Sequence, residues 1–331
     1  MEDIQNYVST HSVTFLLPIS EATTYIILAH RHLLPNHCIL PFPDSSDFEI
    51  LADKNQLFHL AQDLNLPFPE SVWCKDREDG RLAVDSIRSF PAVLKPSRSR
   101  IVLPDRIITT HVVIAHTREA VEAALSRHDF FSYPFTIQSF VKGEGQGIFA
   151  LYREGKAICF FAHRRLREKP PEGGVSVLSE STRVSPRMQS IAKSILDHAH
   201  WNGVAMVEFR VAKDGTPYLM EVNPRFWGSL QLAIDSGTDF PYLLYQSHCM
   251  EDQLIPPTYH KQRLRWLLGD IDRLYLVMKA PLSKYSLSSK FMNLVAFFIP
   301  HAGTRHEVNR FGDMAPFWFE LKRYFKTLLK R

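Results

Sequence analysis

The chain has 331 residues, 45% of them hydrophobic and 22% charged, with a net charge of +4. That much apolar side chain supports one large core or two to three lobes and excludes a disordered chain. The mild positive excess suits a small anionic ligand and is too weak to argue for nucleic acid. The four cysteines, Cys38, Cys74, Cys159 and Cys249, are far apart with no CxxC pair. This speaks against a zinc site or a disulfide framework and for a cytoplasmic protein. Glu2 and Asp3 replace a basic n-region, and no apolar run approaches the ~20 residues of a bilayer span, so neither a signal peptide nor a transmembrane segment is expected.

In chain order, residues 13–18 read as a strand, 21–34 as a helix and 38–40 as a short strand, together a βαβ fragment. Asp53 then caps a helix with Leu57, Leu60, Ala61 and Leu64 on one face, ended by Pro67 and Pro69. A strand at 92–95 stops at Pro96, and residues 101–110 are basic and irregular. Residues 117–127 form a helix with Thr117 as N-cap, followed by a strand at 135–141. Gly143 to Gly147 make a turn into a hairpin whose strands, 148–153 and 156–163, meet at Glu154-Gly155. Residues 164–184, rich in Arg, Pro, Gly and Ser, predict a long functional loop. Ser185-Pro186 opens a helix with Met188, Ile191, Ala192, Ile195, Leu196 and Ala199 as its apolar stripe. A second hairpin, 204–211 and 217–223, follows, and from about Glu251 basic and aromatic residues mix without clear periodicity.

Glycine usage narrows the chemistry. Between Met1 and Phe140 the only glycine is Gly80. A Walker A loop or a GxGxxG loop needs clustered glycines so that backbone amides can approach phosphate. A nucleotide bound through this half must therefore be held by side chains.

The second hairpin carries the strongest chemical signal. A two-residue turn at Asp214-Gly215 puts Lys213 opposite Thr216 and Glu208 opposite Glu221, with Asn223 on the same face. Met206 and Leu219 flank that face. Directly opposed carboxylates repel, so a cation between them is expected, and an all-oxygen set suits Mg²⁺. Arg225 at the strand end can reach a phosphoryl oxygen or a carboxylate. From pairing alone, the two glutamates fit equally well on a solvated face, paired with Arg210 or Arg225. In the segment His163–Val177, His163, Arg164, Arg165 and Arg167 form a cationic wall, Gly173-Gly174 admits an anion to the backbone, and Ser176 adds a hydroxyl. A mobile basic surface loop is the alternative.

Met220-Glu-Val-Asn-Pro-Arg225 after a Val-Glu-Phe strand resembles the metal-binding hairpin of ATP-grasp enzymes, such as carbamoyl phosphate synthetase, biotin carboxylase and D-alanine–D-alanine ligase. Asp53-Lys54 with its helix resembles the start of that module. Ala92-Val-Leu-Lys-Pro96 is similar to the strand bearing the phosphate lysine, and Gln138-Ser-Phe-Val-Lys-Gly-Glu144 to the adenine hinge. The likeness covers roughly residues 50–250 in the family's order. The His163 segment resembles the carboxylate-binding loop of the carbamoyl phosphate synthetase branch and a group of bacterial ATP-grasp proteins.

The resemblance implies an α/β (α+β) ATP-grasp fold with a truncated Rossmann-like N-terminal lobe over residues 1–52. The ATP-grasp domain would span 53–250, with subdomains of about 70–141 and 142–250, and a C-terminal extension would span 251–331. It implies ATP with Mg²⁺, Mn²⁺ being an alternative. Lys54 and Lys95 would hold phosphates, Phe140, Val141 and Gln138 adenine, and Glu144 ribose. Glu208, Glu221 and Asn223 would be metal ligands. Arg225 would stabilise the transferring phosphoryl group, with Arg164, Arg165, Gly174 and Ser176 around the substrate carboxylate. The implied activity is carboxylate–amine ligation on small molecules through an acyl phosphate. The alternatives are a kinase of the same fold or a nucleotide-binding module without catalysis. Two departures stand out: the lid Ser97–Arg106 has no glycine, and Gln138-Ser139 stands where acidic residues are common. The short first lobe leaves open a homo-oligomer or a partner that supplies the missing part. The basic, aromatic C-terminal region reads as a solvated helix in preference to a nucleic-acid or anionic-lipid surface.

Overall fold

The computed structural model describes residues 1–103, 105–250, 257–299 and 303–328, so the proposed boundary at residue 251 and the last three residues of the basic tail lie outside the described residues. The chain divides into two units. The first comprises Met1–Phe160, Ser185–Phe226 and the segment from Leu243; the second comprises Phe161–Val184, Trp227–Tyr242 and the described C-terminal residues.

The first unit opens with α1 (Glu2–Thr10), α2 (Glu21–Ala29), α3 (Ser45–Ala52) and α4 (Lys54–Asp63). Ser20 and Thr23 form a capping box on α2, and the Asp53 carboxylate accepts from the N–H groups of Asn55 and Gln56 at the start of α4. The expected βαβ fragment is present in outline, but its strands meet at one parallel bridge, Phe15 with Ile39. Helices α1 and α3 were not anticipated. On α4, Leu57, Phe58, Leu60 and Ala61 are buried.

Strand β1 (Ser71–Cys74), helix α5 (Arg77–Ala83), β2 (Ala92–Pro96), β3 (Arg100–Val102), β4 (Ile107–Thr109), β5 (Val113–Ala115), α6 (Arg118–Arg127) and β6 (Phe135–Ser139) follow. The order β1-β6-β2-β5 makes a four-stranded antiparallel sheet. Leu94, Phe135 and Ile137 share its core face with Val121, Leu125 and Phe131. Strand alternation therefore gives the other face to Lys95, Thr136 and Gln138. Residues 101–110 are not irregular: β3 and β4 form their own hairpin, with Ile101 opposite Ile108. Backbone pairing needs no glycine, which is why a glycine-free segment can fold back on itself here.

A meander then begins with β7 (Gly143–Arg153) and β8 (Lys156–Lys169), joined at Glu154 and Gly155, whose φ values of 49° and 74° suit a tight hairpin turn. Strand β8 runs into the second unit, where β9 (Val175–Thr182) follows. Back in the first unit, α7 (Pro186–His198) packs on β7, and β10 (Gly203–Ala212) lies between β7 and β11 (Pro217–Asn223). The stripe on α7 is buried as expected. Gly143 to Gly147 do not turn; they are the first residues of β7, paired along β10. A Cβ on Gly143 would lie 2.3 Å from the carbonyl oxygen of Val211. Close strand approach accounts for this glycine.

In the second unit, residues 164–184 are not a long loop. Strands β8 and β9 pair from Ala162–Thr182 to Lys169–Val175. The unit continues with α8 (Leu230–Ser236), α9 (Phe240–Cys249, which runs into the first unit), β12 (Arg263–Arg265), α10 (Leu267–Lys279), α11 (Leu287–Phe298), β13 (Thr304–His306) and α12 (Ala315–Leu328). Strand β12 pairs antiparallel with β9 and parallel with β13. The region read as lacking periodicity is thus largely helical among its described residues. Exposed Phe291, Phe298, Trp318, Phe319 and Phe325 on α11 and α12 blur the apolar pattern. Among the described residues no helix is long and apolar enough to cross a membrane.

Candidate active site

The hairpin β10–β11 sets Glu208 directly opposite Glu221, as expected, but by another route. Gly215, at φ 82°, closes a three-residue loop whose N–H donates to the carbonyl of Ala212. That pairs Val211 with Pro217 and Phe209 with Leu219, one residue out of step with a two-residue turn. A bulge at Met220 restores the register, so Val207 pairs with Val222 and Met206 with Asn223. The bulge also corrects the expected surroundings. Leu219 is fully buried opposite Phe209 and does not flank the carboxylates, while Met206 does.

The polar groups of this face are tied together. The Asn223 amide donates to Oε1 of Glu221 at 3.1 Å and to Oε1 of Glu208 at 3.3 Å. Its own Oδ1 accepts from Arg225 Nη2 at 2.9 Å, and Arg225 Nη1 donates to the carbonyl of Phe226. Lys54 Nζ lies 3.5 Å from Glu221 Oε2. Lys54 is thus an ion-pair partner of Glu221, while Arg225 bonds to Asn223 and Phe226. On β7, Gly147 pairs with Glu208 and Gly145 with Arg210, which leaves that stretch of the face without side chains.

Lys95 links this cluster to the four-stranded sheet. It is 7% exposed, and its Nζ donates to the carbonyl of Met220 at 3.5 Å. Burial lowers its pKa to about 8; Glu221 and Glu208 oppose that shift, and Lys54 and Arg210 add to it. Thr136 sits opposite Lys95 on β6, and Gln138 opposite Val93. Gln138 Nε2 donates to Ser71 Oγ at 2.8 Å. Gln138 Oε1 and Thr136 Oγ1 are both buried without a hydrogen-bond partner. Such orphans cost stability unless a ligand satisfies them. Thr136 escaped the sequence reading. Its signal was its place two residues before Gln138, which becomes meaningful only once Lys95 lies across from it.

Not all predicted residues converge. The Phe140 N–H is taken by the carbonyl of Pro91 at 3.2 Å, leaving its carbonyl and the Val141 backbone at the strand end. Glu144 pairs with Val211, so alternation puts it on the opposite face from Glu208, where Gln146 donates to it at 2.8 Å. The cationic wall also divides. Arg164 and Arg165, adjacent on β8, face opposite ways. Arg164 binds the buried Glu180 at 3.0 Å; Arg165 binds Glu168 at 3.3 Å and the Gly174 carbonyl at 3.0 Å. Ser176 pairs with Glu168, four positions along β9 from Glu180, roughly 13 Å at ~3.3 Å per residue. Gly174 serves the hairpin itself, since a Cβ there would lie 2.2 Å from the Lys169 carbonyl oxygen. His163 is buried, and desolvation with nearby Arg165 lowers its pKa to about 3, so it adds no charge.

Among the described residues no three His, Cys, Asp or Glu side chains cluster to hold a metal. Two carboxylates and an amide can still share a hard cation whose remaining ligands are phosphate oxygens and water, the usual situation of Mg²⁺. Paired acid groups with adjacent ammonium groups, and unsatisfied polar atoms on the sheet that carries Lys95, fit a magnesium-bound polyphosphate with a base attached.

A small antiparallel sheet, followed by a larger meander with this acidic hairpin, defines the ATP-grasp fold. Residues 133–269 match the family described as ATP-grasp in the biosynthetic pathway with Ter operon. The chain is 21% identical over 256 residues to a D-aspartate ligase of Enterococcus faecium, an alignment covering 74% of this chain and 61% of the ligase. Two solved structures share the fold. The biotin carboxylase domain of 2-oxoglutarate carboxylase from Hydrogenobacter thermophilus, solved with MgADP, ADP and bicarbonate, superposes with a TM-score of 0.61 at 13% identity, over 79% of this chain and 60% of that one. N5-carboxyaminoimidazole ribonucleotide synthetase from Thermus thermophilus gives 0.56 at 16% identity, over 76% and 65%. The chain thus spans less than two thirds of the length of each of these proteins.

Proposed function

We propose that the chain is a Mg-ATP-dependent ligase that activates a small-molecule carboxylate as an acyl phosphate and passes it to an amine. The observation that carries this reading is the opposed pair Glu208 and Glu221, bridged by Asn223 and flanked by Lys54 and Lys95. The D-aspartate ligase relative and the MgADP complex of the same fold support it.

In this reading Lys95 and Lys54 pair with phosphate oxygens. Gln138 Oε1 accepts from the exocyclic amine of adenine, and the backbone at Phe140 and Val141 binds the ring edge. Glu208, Glu221 and Asn223 would hold Mg²⁺, which neutralises charge on the phosphate oxygens. Arg225 is fixed by Asn223 and Phe226 so that its guanidinium can stabilise the transferring phosphoryl group. A carboxylate oxygen of the substrate attacks the γ-phosphorus and ADP leaves. The amine then attacks the acyl carbon, phosphate departs, and the nitrogen loses a proton.

Calorimetric titration of ATP with and without Mg²⁺, on the wild type and on Glu221→Gln, tests the site. Mg-dependent binding that the substitution weakens several-fold is expected. Hydroxylamine should then trap an acyl phosphate as a hydroxamate when the right carboxylate is supplied. ADP release with a phosphoester and no hydroxamate would make the protein a kinase, and no ATP binding by folded wild type would overturn the reading.

A further inference from the structure

The second unit contains a cavity of about 250 Å³ that shares Arg167 with the expected cationic wall but involves none of the residues assigned to the nucleotide, metal or substrate carboxylate. Its polar wall is built on Arg167 and Arg265, which both donate to Oδ2 of Asp270, at 2.6 and 2.8 Å. Asp270 is fully buried and the Arg167 side chain is 10% exposed. The two arginines also donate to the main-chain carbonyls of Ala296 and Phe297. One carboxylate against two guanidinium groups leaves a net positive charge in a place with little water to screen it. Arg265 uses Nε and Nη2 in these bonds, so Nη1 faces no acceptor among the described residues.

Two further polar atoms of the cavity lining are unsatisfied. Thr304 Oγ1 and His306 Nδ1 are buried without a hydrogen-bond partner. Burial and the nearby Arg265 and Arg310 lower the His306 pKa, which favours the neutral imidazole. It therefore offers a hydrogen bond and no charge. The opposite character comes from Phe297 and Phe298, with the Arg265 guanidinium 4.3 Å from the centre of the Phe297 ring.

We propose that this cavity binds a small monocarboxylate with a compact apolar or aromatic group. The carboxylate meets Arg265 and Arg167, the Thr304 hydroxyl donates to it, and the tail lies on Phe297 and Phe298. The apolar wall of Phe297 and Phe298 suits a carboxylate with a hydrocarbon tail better than a phosphate, which presents charge on every side. The volume is below the ~300–1,000 Å³ of pockets for drug-sized molecules, which limits the tail to about one ring.

The full chain, free of nucleotide, is titrated by calorimetry with 3-phenylpropionate, its neutral amide, and acetate. Saturable binding of 3-phenylpropionate at one site is expected, at least tenfold weaker for the amide and for acetate. Thr304→Val should lose several-fold in affinity. Leu178→Trp, which fills the cavity, should abolish binding with unchanged far-ultraviolet circular dichroism. No saturable binding, equal binding of acid and amide, or full affinity in folded Leu178→Trp would overturn the proposal. Should Leu178→Trp fail to fold, the amide and Thr304→Val decide alone. Because nucleotide is absent, failure here leaves the ATP reading untouched.

Discussion

The ammonium of Lys95 on β2 lies 3.5 Å from the carbonyl oxygen of Met220, the residue of β11 that has no partner across β10. A regular ladder would direct that carbonyl to the neighbouring strand; the bulge frees it. One extra residue thus does two things. It returns Glu221 to its place opposite Glu208, and it gives a buried lysine an acceptor in the absence of phosphate.

Lys95 supplies a pH signature. With its pKa lowered to about 8, it is charged below that pH and loses its charge above it. ATP affinity should be flat below pH 8 and fall above it, by up to about tenfold per unit. The fall should vanish in Lys95→Met, whose affinity is lower throughout. The same shift acts on stability. The unfolded chain keeps this proton to about 10.5 and the folded chain only to about 8, so wild type gains stability relative to Lys95→Met as pH rises across that window. Calorimetric titrations and urea melts of both proteins from pH 7 to 10.5 check both.

Gln138→Leu separates ligand recognition from folding. The substitution removes an acceptor that the folded protein leaves unsatisfied, and Ser71 keeps its bond to the carbonyl of Pro69. Stability should stay within about 1 kcal/mol of wild type. ATP affinity should fall several-fold, with preference for ATP over GTP reduced, as competition titrations would reveal.

At Gly215, φ is 82° and a Cβ would meet nothing within 4 Å, so only backbone strain opposes a side chain. Gly215→Ala should cost roughly 1–2 kcal/mol in denaturant unfolding. Because the register is also fixed by the buried pairs Phe209–Leu219 and Val207–Val222, nucleotide affinity should be unchanged.

Asp270→Asn tests the second unit. The carboxylate is fully buried between Arg167 and Arg265, and neutralising it leaves two guanidinium groups facing each other. A loss of ~3–5 kcal/mol is expected. A melt that leaves nucleotide binding intact while the second unit unfolds would show that the two units are independently stable.

The sequence alone was sufficient for whatever local chemistry dictates. Asp53 and Thr117 could be read as caps because a short side-chain acceptor satisfies N–H groups two or three residues on. The apolar stripe of α7 and the turn at Glu154-Gly155 follow from periodicity and from left-handed backbone. The pairing of Glu208 with Glu221 was also foreseen, though the loop was one residue longer than assumed and the bulge at Met220 cancelled the error. What sequence spacing could not decide was which distant groups share a face. Thr136 beside Lys95, Glu144 turned away from the carboxylates, and Arg164 parted from Arg165 all depend on strand alternation and long-range pairing. A segment rich in arginine and glycine reads as a loop until a buried carboxylate such as Glu180 or Asp270 supplies the counter-charge that lets it form a sheet. Those counter-charges lie 16 to 103 residues away in sequence, so only the tertiary structure brings them into contact.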